Sequence, residues 1–130
     1  MEKYLGVKLI EAEPLSGTKT AENGDLLLQE GYKVIYEDGY TSWSPKDVFE
    51  KAYKQIATEI IIPNKDLEAH QYRVIDEAKE LDYNINKLDS FIESNEIFKT
   101  LSQEEQHLLI KQVQAMSYYF TILTERIKNF

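Results

Sequence analysis

The second half of the chain carries two runs of apolar residues spaced mostly four and three apart, and these runs constrain the fold more than any other feature. The first run is Leu67, Val74, Ala78, Leu81, Ile85, Leu88 and Ile92. The second run is Leu109, Val113, Met116, Phe120, Leu123, Ile127 and Phe130. This spacing puts one apolar stripe on each of two helices and predicts an antiparallel helical hairpin. Because a lone hairpin buries little surface, it should pack on the N-terminal half, on further copies of itself, or on both.

Local signals set the expected ends of the two helices. Asn64 or Asp66 is a suitable N-cap for the first helix, which should run to about Glu93. Ser102-Gln103-Glu104-Glu105 is a capping box for the second, which should run to about Asn129. A short apolar cluster at the turn contains Ile97, Phe98 and Leu101.

The first thirty residues predict strands separated by a polar segment. Tyr4–Glu13 has an imperfect apolar alternation that favours a strand, and Pro14 should end it because proline cannot donate to a ladder. Ser16–Gly24 is polar and glycine-containing, which predicts a loop. Leu26–Leu28 is short and apolar, as expected of a further strand.

The strongest β signal lies at Gly31–Trp43. Alternating tyrosine and valine residues lead to Asp38–Gly39, whose types suit a type I′ hairpin turn. A short helix should follow, with Ser44 as N-cap and Pro45 at its first position. Gln55–Ile62 suits either an edge strand or an extended connector.

These signals predict an α+β fold. A small antiparallel β unit with a short helix should occupy residues 1–62, and a long two-helix hairpin should occupy residues 63–130. A chain of 130 residues fits one compact unit or a small unit with an appended hairpin.

Composition narrows the classes of function. A net charge of −8 argues against a protein that binds DNA or RNA through their backbones. The absence of cysteine removes thiol catalysis and suits a reducing cytosol, and no apolar run approaches the length of a membrane span or a signal peptide. His70 and His107 fall near opposite ends of the predicted hairpin, so they do not predict a shared metal site. No sequence motif predicts an enzyme or a cofactor.

The two arginines, Arg73 and Arg126, are the best candidates for binding chemistry. An antiparallel hairpin that turns near residues 95–101 brings them to the same end. Two guanidinium groups there have the geometry to hold a pyrophosphate or two phosphates. The alternative is ordinary ion pairing, of Arg73 with Glu77 and of Arg126 with a nearby acid such as Glu125 or Asp66.

Aromatic side chains are the second set of candidates. They make up 12% of the chain. Those away from the apolar stripes, Tyr119 among them, suit packing beneath the β unit, an interface between copies, or stacking on a nucleobase. Phe98 and Trp43 stand beside predicted turns, where a flat ligand has access.

One stretch resembles a known family. His70-Gln71-Tyr72-Arg73-Val74 with the helix that follows, together with Phe98, Met116, Tyr119 and Arg126-Ile127, is similar to the hairpin domain shared by phage anti-Thoeris and anti-CBASS signal-sequestering proteins. The N-terminal half, with its Gly39-Tyr40-Thr41-Ser42-Trp43 stretch, looks like the β unit of the anti-Thoeris branch.

The resemblance implies a non-catalytic homo-oligomer in the cytoplasm of an infected bacterium. It would bind the cyclic ADP-ribose isomers made by immune TIR enzymes, and cyclic oligonucleotides at a second site in some members. Carried over, Arg73 and Arg126 would bind phosphates and Phe98 would stack on adenine, with Trp43 and Tyr119 as further ligand-binding candidates. No metal, cofactor, nucleic acid or membrane is implied. The alternative is an oligomeric structural or protein-interaction module without a small-molecule ligand.

Overall fold

A computed structural model describes residues 1–130 and confirms the α+β fold class. The chain divides into two compact units, which are described separately. The first is the β unit, Lys8–Lys54, and the second is the hairpin unit, Met1–Val7 with Gln55–Phe130. The elements in chain order are β1 (Glu11–Pro14), β2 (Gly17–Thr20), β3 (Leu26–Gln29), β4 (Gly31–Ile35), β5 (Thr41–Pro45), α1 (Lys46–Ala52), α2 (Ala69–Ser94), α3 (Glu96–Thr100) and α4 (Gln103–Lys128).

The β unit contains a three-stranded antiparallel sheet in the order β1-β4-β5 and a two-stranded sheet of β2 and β3. The predicted hairpin around Asp38–Gly39 is confirmed, since β4 and β5 pair from Gly31 opposite Pro45 to Ile35 opposite Thr41. The predicted type I′ turn was wrong, because that turn needs a positive φ at both central residues and Asp38 does not have one. Gly39 has a φ of 85°, a backbone conformation that favours glycine. The predicted strand at Leu26–Leu28 is also confirmed as β3.

Two predictions for the first part of the chain were wrong. The strand expected over Tyr4–Glu13 forms only at its end, Glu11–Pro14, because its partner β4 ends at Ile35, directly opposite Glu11. The loop expected over Ser16–Gly24 contains β2, which pairs with β3. A polar strand of this kind carries little apolar pattern, so its partner determines its conformation.

Helix starts were predicted correctly at one of three positions. Ser102 caps α4 by accepting a hydrogen bond from the Glu105 amide, 3.1 Å away. Ser44 does not cap α1, because it remains in β5 and Pro45 takes the N-cap position. The N-cap of α2 is Glu68, which forms a reciprocal capping box with Gln71, rather than Asn64 or Asp66.

The hairpin unit has its core where the beginning of α2 packs against the end of α4. The buried cluster consists of Ile75, Ala78, Phe120, Leu123 and Ile127. Four of these five lie on the predicted stripes, but Ile75 replaces the expected Val74, which is only half-buried.

A third layer of chain explains the burial that the stripes do not predict. Thr121 and Thr124 are 2% and 7% exposed although neither lies on a stripe. The amide of Ala57 donates to the Thr121 hydroxyl at 3.0 Å, and Ala57 and Ile60 pack against the core cluster. The connector over residues 55–62, which has no regular secondary structure, therefore covers a second face of α4.

Candidate ligand-binding site

The open end of the hairpin is the end at which α2 begins and α4 ends, opposite the turn formed by α3. It is the well-packed end, because the buried cluster from Ile75 to Ile127 lies there. Side chains on its surface therefore project from helices that are fixed by a core, which is the condition for a preorganised site.

A hydrogen bond between the two helices sets their register at this end. The Tyr119 hydroxyl of α4 donates to the carboxylate of Glu77 in α2. If these two positions are level, Arg73 and Arg126 differ by about 4.5 Å along the hairpin axis, at about 1.5 Å per residue. Both arginines are exposed. Their convergence on one anion stays a prediction.

The ion pairs found within the two units use lysines. They are Lys33–Glu13 and Lys46–Glu30 in the β unit and Lys99–Glu96 at the hairpin turn. The pair considered between Arg73 and Glu77 is not among them, and Glu77 instead accepts from Tyr119. Arg73 also lies near the N-terminus of its helix, where the helix dipole does not stabilise a cation.

The hydrogen bond with Glu77 raises the pKa of the Tyr119 hydroxyl, and desolvation adds to this. The charge of Arg126 lowers this pKa, but it is the smallest of the effects. Tyr119 is 44% exposed, so the group formed by Arg73, Glu77, Tyr119 and Arg126 is accessible from solvent. We call these four residues the open-end cluster.

Phe98 lies at the other end of the hairpin. It is 9% exposed and packs edge-on against Phe91, with ring centroids 6.0 Å apart and an interplanar angle of 83°. Along α2, the distance from Arg73 to the turn is about 30 Å. A single chain therefore does not bring Phe98 to the arginines, and its stacking on adenine stays a prediction.

Trp43 belongs to the β unit, where its ring is held by the sheet. Its indole N–H donates to the Leu15 carbonyl at 2.7 Å. A Cβ on Gly31 would lie 2.3 Å from the ring, and one on Gly17 would lie 2.8 Å from it, so only glycine fits at either position. Trp43 of β5 thus fixes the local packing against β2 and β4, and its role in ligand binding also stays a prediction.

The sequence pattern did not reveal that Glu77 is the partner of Tyr119. The spacing of Arg73 and Glu77, four residues apart, indicated a pair within one helix and not a partner on α4.

No group of three or more histidine, cysteine, aspartate or glutamate side chains is placed to hold a metal ion. None of the helices combines the length and the hydropathy that a membrane span requires.

One family model and one curated protein are similar to part of this chain. The family model Sequestin matches residues 68–129, the segment from the N-cap of α2 to the end of α4. A 7.5 kDa protein from the denB–rIIB intergenic region of Enterobacteria phage T4, described as uncharacterized, is 42% identical over 62 residues. The match covers 48% of this chain and 95% of the phage protein. No solved structure matches the chain.

Proposed function

The chain belongs to the Sequestin family, and from this premise we propose that it sequesters a small anionic nucleotide without altering it. The family name denotes sequestration, and the family model matches the segment from the N-cap of α2 to the end of α4. The observation that carries the proposal is a pair of exposed arginines at one well-packed end of that segment, where Glu77, four residues after Arg73, is bonded to Tyr119.

The ligand class that fits two arginines is a nucleotide with two phosphates. A guanidinium group donates two parallel hydrogen bonds to a phosphate, and these bonds are stronger than those between neutral groups. Arg73 and Arg126 would each take one phosphate of a cyclic ADP-ribose isomer. Tyr119 lies beside this end of the hairpin with its hydroxyl on Glu77, and Phe98 and Trp43 are the candidates for stacking on adenine.

A homo-oligomer is part of the proposal. In the turn half of the hairpin, the stripe residues are only half-buried within one chain. A second copy would cover them, and it would also offer its own aromatic residues to a ligand bound at the open end. Burial between copies slows ligand release, which a sequestering protein requires because affinity is set mainly by the off-rate.

In biological terms, the protein would act as an anti-Thoeris factor. It would be made by a phage in the cytoplasm of an infected bacterium, and it would lower the concentration of the signal that a TIR enzyme produces. Stoichiometric binding suffices for this role, so the protein needs no catalytic residue.

Isothermal titration calorimetry with a panel of cyclic ADP-ribose isomers tests the proposal. The wild type should bind one isomer with submicromolar affinity. The double variant R73A/R126A should lose at least 100-fold in affinity, because each charge-assisted hydrogen bond contributes about 1.5–3 kcal/mol. Its unfolding midpoint should stay within a few degrees of the wild type, since both side chains are exposed.

The variant K87A/K111A is the matched control. It removes the same charge from exposed positions of α2 and α4, away from the open end. An equal loss of affinity in both double variants would mean that overall charge, not the open end, binds the ligand. No heat with any isomer at micromolar protein would contradict the proposal and favour a structural or protein-interaction module.

A further inference from the structure

Glu77 could compete with an anionic ligand for the guanidinium group of Arg73. It stands one helical turn after Arg73, the spacing at which oppositely charged side chains of a helix reach each other. A carboxylate and a phosphate use the same guanidinium donors, so a Glu77–Arg73 pair would occupy the donors that an anionic ligand needs. In a chain with 23 acidic and 15 basic residues, such competition is the default for any arginine.

The structure has a different arrangement at this position. The carboxylate of Glu77 accepts from the Tyr119 hydroxyl across the hairpin, and the Arg73–Glu77 pair does not form. Tyr119 sits at the edge of the core, next to Phe120, which is 3% exposed. The backbone of α4 beneath Tyr119 is therefore fixed, and the hydroxyl is held in place relative to α2.

We infer that Tyr119 is a positioning residue, which holds the Glu77 carboxylate away from Arg73 and so leaves the guanidinium of Arg73 available to a phosphate of the ligand. The inference rests on the proposed function for its effect on affinity. Its structural part, the partner of Arg73 in the free protein, is independent of any ligand.

The ligand-free test uses NMR of the arginine side chains. With two arginines in the chain, the Nε–H region holds two signals, and the signal of Arg73 is identified by its loss in R73K. In Y119F, Glu77 is released and pairs with Arg73, so the Nε–H of Arg73 should shift and exchange more slowly with water. In Y119F/E77Q, the signal should return to its wild-type position.

The affinity test uses the cyclic ADP-ribose isomer that the wild type binds most tightly. Y119F should weaken binding about threefold to fivefold, the effect of one exposed ion pair. E77Q should tighten binding about twofold, because a competing negative charge is gone. Y119F/E77Q should bind as tightly as E77Q, and this rescue is the diagnostic result.

Two neighbouring substitutions serve as controls. Y118F removes the hydroxyl of an exposed tyrosine beside Tyr119, and E93Q removes an acid from the far end of α2. Neither should move the Arg73 signal or the affinity. Unfolding midpoints of all variants check that the fold is intact.

Each other outcome identifies the claim that fails. If Y119F/E77Q stays as weak as Y119F, Tyr119 contacts the ligand directly and the inference is overturned. If E77Q itself weakens binding, Glu77 is a ligand acceptor and the inference is likewise overturned. If no isomer binds the wild type but the Arg73 signal responds as expected, the proposed function fails while Tyr119 keeps its positioning role. An unmoved Arg73 signal in Y119F overturns the inference regardless of ligand.

Discussion

The two halves of the hairpin share one apolar spacing but differ in burial. At the open end, Ala78, Leu123 and Ile127 have no exposed surface. In the turn half, Leu88 and Leu109 occupy equivalent stripe positions and remain half-buried. The difference comes from the connector over residues 55–62, which adds a third layer at the open end through Ala57 and Ile60.

This contrast shows that heptad spacing identifies the face that packs and does not determine how deeply it is buried. Two helices cover only one side of each other, and complete burial needs a further layer. At the open end the chain supplies that layer itself. In the turn half, a second copy is our proposed source, and the candidate site lies where the chain is already complete.

The largest expected effect comes from leucine truncation at the two ends. L123A should lower the free energy of unfolding by about 3 kcal/mol, because it leaves a cavity in a closed core. L109A should cost about 1–1.5 kcal/mol, because its side chain is half exposed in one chain. Urea denaturation at a protein concentration low enough to dissociate the proposed dimer measures both losses in the single chain, and equal losses would contradict the difference between the two halves.

The third layer is tested by T121V. This substitution keeps the side-chain volume and removes the acceptor for the Ala57 amide, so it should cost about 1–2 kcal/mol of unfolding free energy. S117A is the control, since the Ser117 hydroxyl donates to the carbonyl of Val113 within its own helix. If T121V loses no more unfolding free energy than S117A, the connector does not stabilise α4 through the Ala57–Thr121 hydrogen bond.

Dilution tests whether a second copy covers the turn half. For a dimer that unfolds as a unit, each tenfold dilution should lower the apparent free energy of unfolding by about 1.4 kcal/mol. Substituting L109E should abolish this dependence, because it places a charge in the shared surface. A wild-type unfolding midpoint that stays constant between about 1 and about 100 micromolar protein would show that no second copy covers the turn half.

The smallest expected effect is an ionisation shift at the open end. The pKa of Tyr119 lies above its ordinary value of 10.0, chiefly because of the hydrogen bond with Glu77. A raised folded pKa means that this contribution to stability is complete below pH 10 and is lost as pH rises through the folded pKa. The absorbance titration of wild type minus Y119F should show one late-ionising tyrosine, and E77Q should move it back toward 10. An unshifted difference curve would contradict the Tyr119–Glu77 contact.

The sequence predicted those features that depend on local pattern. The Asp38–Gly39 hairpin and the Ser102 cap each follow from a short segment read by itself, and the two long helices follow from the apolar spacing within each of them. The features that failed depend on partners remote in sequence. The strand at Gly17–Thr20 needs Leu26–Gln29, and the burial of Thr121 needs Ala57, which is 64 residues away.

The same distinction holds for the candidate site. Topology alone placed the two arginines at one end of the hairpin. The partner of Glu77 was not predictable, because its choice between Arg73 and Tyr119 depends on the register of α2 against α4. Roles that require more than one chain or a ligand, such as those of Phe98 and Trp43, stay predictions.

Capture and release of the ligand distinguishes sequestration from turnover and from the absence of binding. The protein is mixed with a cyclic ADP-ribose isomer, freed of unbound ligand by gel filtration, and heat-denatured, and the supernatant is analysed by mass spectrometry. The account predicts that unaltered isomer is recovered in proportion to the protein, and that R73A/R126A carries almost none. Recovery of a cleaved product, or of no ligand with any isomer, would contradict it.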